Sequence, residues 1–334
     1  MTRRQQLFVL FGVLVSIVFL WLAFRNLQPE TVLQNISSAN GVFLVIGAVW
    51  FFASLVVIAI RWGFLLKSIQ PVPLGSLISL VSIGYMGNNV YPFRGGEALR
   101  IFLVWRNHGV PAIKATTTVL VERVFDGIVM LTFILVGVSV SNIGSDVLRN
   151  LASVATPFFA IALIIFFGIA TRPNILRMLV DVVKKILPHR FGELLNKLTE
   201  QVIGGLEGLR TPADLFGTVV TSYASWMLHV MVYQLVAVAF GINADYGLMM
   251  VVVGAVNLAG LIPASPGQVG VFEFVVSQVL MGAGIAEGLA ATYALTVHLV
   301  IWLPVTLLGF FFLIRQGLNF SAVRQARDLE VVEE

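Results

Sequence analysis

Residues 84–100 read GYMGNNVYPFRGGEALR. They follow a run apolar enough for lipid, yet they gather Asn88, Asn89, Pro92, Arg94, Gly95, Gly96, Glu97 and Arg100. Proline removes a backbone donor and clashes with the preceding turn, and paired glycines weaken a helix further. In hydrocarbon, each backbone group freed in this way must find a partner in protein or water. The stretch therefore predicts a helix break within 74–106 that faces protein or a wet cavity, provided the surroundings are membrane.

Composition supplies that surrounding. The 334 residues are 58% hydrophobic and 11% charged, with a mean hydropathy of +0.94; soluble domains hold roughly 45–50% apolar and about 25% charged residues. Runs at 7–24, 41–60, 116–140, 151–170, 216–240 and 289–314 are each long enough to cross the hydrocarbon core. The expected fold is an all-α polytopic membrane protein with six full transmembrane helices. The first run follows Arg3-Arg4 but lacks a small-x-small cleavage site, so it reads as a retained anchor. With no cysteine, disulfides, thiolate nucleophiles and Cys-ligated metals are excluded.

A second break lies at 247–281, with Asn257, Pro263, Pro266, Gly267, Gly270 and Glu273. Both regions run apolar helix, asparagine, proline, glycine, glutamate, apolar helix. The two read as broken or re-entrant helical hairpins in a weak inverted repeat, a plan in which interrupted helices meet near the midplane around substrate. Full crossings, giving eight or more spans, remain the alternative. The halves are then 1–170 and 213–315, joined by an amphipathic linker at 171–212 and followed by a polar tail at 316–334. Lys and Arg concentrate at Arg3-Arg4, Arg61, Lys67, Arg106, Lys114 and between Arg172 and Arg210, and none occurs from Thr211 to Ile314. The positive-inside rule then predicts cytoplasmic termini in a cell membrane.

Three segments carry a resemblance. NNVYPFRGGEALR (88–100), ERVFDG (122–127) and PASPGQVGVFE (263–273) resemble signature stretches of the lysylphosphatidylglycerol synthase transmembrane-region family, also called flippase-like or UPF0104. The resemblance covers most of the chain. It implies a membrane part like a lipid flippase; the larger members add a soluble aminoacyl transferase, and no aminoacylation is implied here.

Candidate site residues follow from the breaks. Arg94, Glu97 and Arg100, spaced three apart, are expected to form a ladder along one helix face. The Gly95-Gly96 amides at a helix start, with two arginine forks, suit phosphate oxygens. Asn88, Asn89, Asn257, Pro266 and Gly267 are expected to line the same substrate site. Glu122, Arg123 and Asp126 lie inside an apolar run, where charge costs about 2.5–3.5 kcal/mol per residue, so they should face inward as an ion-pair cluster or a proton-coupling group. Glu273, with no basic neighbour in sequence, is expected to pair with an arginine of the first break or to carry a proton. His229 and His298 read as satisfied core histidines, and no ligand spacing suggests a metal or other cofactor. Trp21, Trp50, Trp62 and Trp105 read as interfacial belt residues.

These features favour transport of an anionic lipid or lipid-linked intermediate, with membrane lipid as partner and no nucleic acid. No Gly-x-x-x-x-Gly-Lys-Ser/Thr motif is present to bind nucleotide. The alternatives are a transferase or hydrolase acting on a lipid phosphate, and an accessory subunit of a separate lipid-modifying enzyme.

Overall fold

The computed structural model describes residues 3–25, 28–91, 95–141, 211–260, 262 and 264–316, and ten positions of the intervening segment between 177 and 200. The expected span 151–170, most of the linker 171–212, Arg94 with Pro92, Pro263, and the tail beyond 316 lie outside these residues.

Among the described residues every regular element is helical: α1 (Arg3–Phe24), α2 (Pro29–Ser38), α3 (Gly41–Leu66), α4 (Leu74–Val90), α5 (Gly95–His108), α6 (Ala112–Val140), α7 (Pro212–Ala239), α8 (Tyr246–Ala259), a 3-10 turn at Pro266–Gln268, α9 (Val271–Gly282) and α10 (Glu287–Arg315). By length and composition α3, α7 and α10 are able to cross a bilayer, and α1 with α2 adds a bent candidate. At 29 residues α6 is as long as α10, but it carries Glu122, Arg123 and Asp126 within its apolar run. The helices have local starts and stops. Asn40 and Asp245 accept from the Val42 and Leu248 amides to cap α3 and α8, and Thr211 does the same for α7 through Asp214.

Both expected breaks occur. Helices α4 and α5 hold 17 and 14 residues, and α8 and α9 hold 14 and 12. At about 1.5 Å per residue all four fall short of the roughly 30 Å hydrocarbon core. The first pair folds back as a tight hairpin. A Cβ on Gly96 would collide with the Gly84 carbonyl oxygen, and one on Gly87 would meet Gly96 Cα at 2.5 Å. At the open end of the hairpin, Gln70 Nε2 donates to the His108 carbonyl at 2.5 Å. Small residues at such contacts are how helices approach closely in lipid, where burial gives no hydrophobic gain.

Three long antiparallel contacts assemble the bundle. Helix α3 lies along α7, from Asn40 N donating to Ala239 O at one end to Lys67 Nζ on Asp214 Oδ1, 3.0 Å, at the other. Helix α4 lies along α10, from Asn89 on Thr306 to Ser79 on Gln316. Helix α6 lies along α8, where Gly137 meets Gly247 and Val251. One apolar cluster joins Leu55, Trp62, Leu80, Met86 and Leu103; another joins Phe133, Tyr233, Met249, Val252, Phe272 and Tyr293. Exposed Leu14, Ile17, Val45, Phe216, Leu307 and Ile314 form the outer surface that lipid would cover.

Helix α3 runs six residues beyond the expected end at 60. Those residues are held inside: Arg61 is 1% exposed and Trp62 is fully buried. Neither is an end marker. Arg61 does not sit in a cytoplasmic loop and Trp62 does not belong to an interfacial belt, because each has a partner on α5 or α6.

Candidate functional site

Three helices bring six formal charges together. Arg61 on α3 places Nη1 2.6 Å from Asp126 Oδ1 and Nε 3.5 Å from Glu122 Oε1. Arg100 on α5 pairs with the other Glu122 oxygen. Arg123 contacts Asp126 Oδ2 at 3.0 Å and Glu97 Oε1 at 3.6 Å. Three arginines thus face three carboxylates, and the formal charges cancel. Trp226 of α7 donates Nε1 to Asp126 Oδ1 at 2.7 Å. The Arg100 guanidinium stacks 4.2 Å above Trp62, whose Nε1 donates to Thr118 at 3.0 Å. Buried charge is tolerated when paired, and the pairing here runs across four helices, while Arg61 Nε, Arg100 Nε, Arg123 Nε, Glu122 Oε1 and Asp126 Oδ2 are buried without a hydrogen-bond partner among the described residues.

The ladder expected along α5 takes another form. Glu97 and Arg100 share a face, as their spacing requires, but that face meets α6, and their partners are Arg123 and Glu122. Arg94 lies outside the described residues. Nor is the Gly96 amide open to an anion: Asn88 Oδ1 accepts its N–H at 3.1 Å and closes the helix start from within the hairpin. Arg61 is the member that the sequence reading missed. The signal was present, since Trp62-Gly63-Phe64-Leu65-Leu66 continues the apolar run beyond it.

The two breaks meet. Asn89 at the end of α4 donates Nδ2 to Thr306 Oγ1 at 2.8 Å, and its carbonyl lies against Gly267 of the second break. Gly267 has φ +70, a left-handed turn that suits glycine, and a Cβ there would also press on Trp302 Nε1. Asn257 donates Nδ2 to the Val253 carbonyl at 2.8 Å, so its amide oxygen is left for other partners.

Around this junction lie two adjoining cavities. The larger, about 440 Å³, is lined by Asn88, Asn89, Tyr91, His229, Asn257, Pro266, Gly267, Phe272, His298 and Trp302 among others. The smaller, about 360 Å³, adds Gly96, Glu97, Arg100, Arg123 and Asp126. Both share Tyr85, Asn88, Asn89, Trp226, Asn257 and Gln268. An amide-lined chamber therefore opens beside the face of the ion cluster. Glu122 is fully buried behind that face, and Gly95 packs on Tyr91 at the hairpin tip.

Glu273 pairs with His298, and Arg100, the described arginine of the first break, pairs with Glu122 instead. Its Oε2 accepts the Gly270 amide at 2.6 Å, and its Oε1 lies 2.6 Å from His298 Nδ1. The second break thus has its own acid partner, because α9 and α10 pack directly and bring His298 to it. Among the described residues no group of three or more His, Asp or Glu is arranged to hold a metal.

Apolar helices able to span a bilayer, packed around two helix breaks and a buried ion network, define a polytopic helical membrane protein. The chain belongs to the lysylphosphatidylglycerol synthase TM region family, whose pattern matches residues 9–309. It is 28% identical over 301 residues to "Glycosyltransferase AglD" of Haloferax volcanii, covering 81% of this chain and 48% of that protein. The chain therefore spans about half the length of that relative. It is 24% identical to "UPF0104 membrane protein PH1989" of Pyrococcus horikoshii, over 92% of this chain and 95% of the relative. A "UPF0104 membrane protein" of Methanothermobacter thermautotrophicus is 22% identical over 93% and 92% of the two chains. No solved structure matches the chain.

Proposed function

We propose that this protein moves an anionic lipid, or a lipid-linked intermediate, between leaflets, with the headgroup passing through the paired cavities while the acyl chains stay in lipid. The observation that carries the reading is the meeting of two helix breaks from opposite halves of the chain on cavities that share Asn88, Asn89, Asn257 and Gln268. Volumes of about 440 and 360 Å³ fall within the range of roughly 300–1,000 Å³ that small ligands occupy. Arg100 and Arg123 on the smaller cavity are the phosphate-facing groups. Arg94 shares that role on the strength of its sequence motif, and Glu97, Glu122 and Asp126 balance the charge.

An inverted repeat accounts for the arrangement. The order long helix, short helix, break, short helix, long helix occurs as α3 to α6 and again as α7 to α10. In each case the first short helix packs along the final long helix of the other half. The hairpins then enter from opposite leaflets, with both termini in the cytoplasm and the arrangement set in the cell membrane.

Purified full-length chain in liposomes with fluorescent phosphatidylglycerol tests this. Leaflet exchange above that of protein-free liposomes, slowed by Asn257→Leu and Arg94→Ala, is expected. Wild-type exchange at the protein-free rate would overturn the reading. The name of the Haloferax relative favours a second reading, in which the chain is the membrane portion serving a lipid-dependent glycosyl transfer. Covalent product from lipid and a partner transferase, without exchange, would support that one.

A further inference from the structure

Two histidines, His229 and His298, line the larger cavity. His298, midway along α10, is 7% exposed. Its ring stacks on Phe272, with centroids 4.0 Å apart and planes 18° off parallel. Its Nδ1 lies 2.6 Å from Glu273 Oε1. The other Glu273 oxygen is held by the Gly270 amide, so the carboxylate is fixed at both ends. An ionised carboxylate only accepts, so Nδ1 carries the hydrogen and Nε2 is the basic position left over. The same logic applies to His229, whose Nδ1 lies 2.8 Å from the Ser225 carbonyl.

The groups facing His298 differ in kind from those of the ion cluster. Glu273 reaches it from α9; His229 and Tyr233 of α7 and Tyr85 of α4 line the same cavity. Among the described residues lining that cavity, none is Lys or Arg. Glu122 and Asp126 keep arginine counter-charges at any physiological pH. Glu273, by contrast, faces a partner whose charge depends on whether Nε2 holds a proton. With neutral imidazole the pair carries one negative charge; with imidazolium it carries none. In a cavity of low dielectric that difference bears strongly on an entering anion.

We infer that the His298–Glu273 pair is a proton-binding site that couples lipid movement to a proton gradient, one proton accompanying each monoanionic headgroup. Resting on the transport reading above, it names the driving force. Water on the acidic side gives a proton to His298 Nε2, which lets the anionic headgroup occupy the cavity. When the cavity opens to the other side, Nε2 returns that proton to water and the headgroup is expelled. The Nδ1–H to Oε1 hydrogen bond persists throughout, and no net charge crosses.

Proteoliposomes with fluorescent phosphatidylglycerol, a potential clamped by potassium and valinomycin, and an imposed gradient of about one pH unit test the proposal. Strict coupling predicts that wild type drives the label toward a ratio of about ten to one between leaflets. His298→Gln, which still donates to Glu273 but never binds a proton, leaves the pair negative and should lose gradient-driven exchange. Wild-type exchange that stays even overturns proton coupling alone, and so does a His298→Gln variant that builds the gradient-driven ratio. A wild type that moves no lipid overturns the transport reading and this proposal with it. If His298→Gln does not exchange, nitrogen-15 imidazole spectra of wild type in nanodiscs decide. A His298 signal whose protonation changes when phosphatidylglycerol replaces phosphatidylcholine supports the site; a signal that stays the same in both lipids overturns it.

Discussion

Replacing Arg61 by methionine removes the central cation of the buried network while keeping its apolar stem. In the wild type three arginines balance three carboxylates. Without Arg61, Asp126 loses a contact of 2.6 Å and Glu122 loses one of 3.5 Å, leaving two cations for three anions in a region where Glu122 is fully buried and Asp126 is 8% exposed. Breaking a buried ion pair by deleting one partner costs about 3–5 kcal/mol, because the other charge is left uncompensated. At about 2 °C per kcal/mol for a chain of this size, the apparent unfolding midpoint should fall by roughly 6–10 °C. Arg61→Met combined with Glu122→Gln restores two cations against two anions and should recover most of the loss. The assay is the fraction of monodisperse protein left in mild detergent after stepwise heating, measured for wild type, both single variants and the double. A double variant no more stable than Arg61→Met alone would refute charge balance as the organising feature of the site, and so would an Arg61→Met midpoint equal to wild type.

Gly96→Ala places a methyl against the Gly84 carbonyl, so the first hairpin must open; a loss of about 1–3 kcal/mol is expected from overpacking, read by the same heating assay. Trp62→Phe removes the hydrogen bond to Thr118 and weakens the stacking of Arg100; about 1–2 kcal/mol should be lost, and adding Thr118→Val should cost little more. On the polar segment, Arg177 holds both Glu200 oxygens, at 3.0 and 2.9 Å, and keeps that carboxyl below its ordinary range. Whatever that pair contributes is present at neutral pH and is lost as the pH falls through the depressed value. Both partners are exposed, so Glu200→Gln in about 150 mM salt should leave the heating midpoint unchanged at neutral pH.

The residues of the two breaks were legible before any coordinates. Asn88, Asn89, Gly95, Gly96, Asn257, Pro266 and Gly267 all lie at or beside interruptions, since proline and glycine act on the backbone locally and leave a local mark. Glu122, Arg123 and Asp126 were legible as inward-facing, since charge inside an apolar run has few other places to go. Arg61 and Trp62 were misread because they fall near where a span of minimum length would end, and charge near an end ordinarily reaches water. Helix α3 instead continues, held by contacts to α5 and α6.

The sequence alone determined the solvent and the interruptions. A chain that is 58% hydrophobic belongs in lipid, and hydropathy, helix propensity and missing backbone donors are properties of short stretches. Tertiary structure alone decided which groups pair. Asn88 occupies the Gly96 amide, Glu122 holds Arg61 and Arg100, and Glu273 takes His298. Several acids and bases are available to each charge, and their pairing depends on which helices lie side by side. Which helices lie side by side is set by packing between distant stretches, such as the glycine contacts between α4 and α5 and between α6 and α8, which no local pattern encodes.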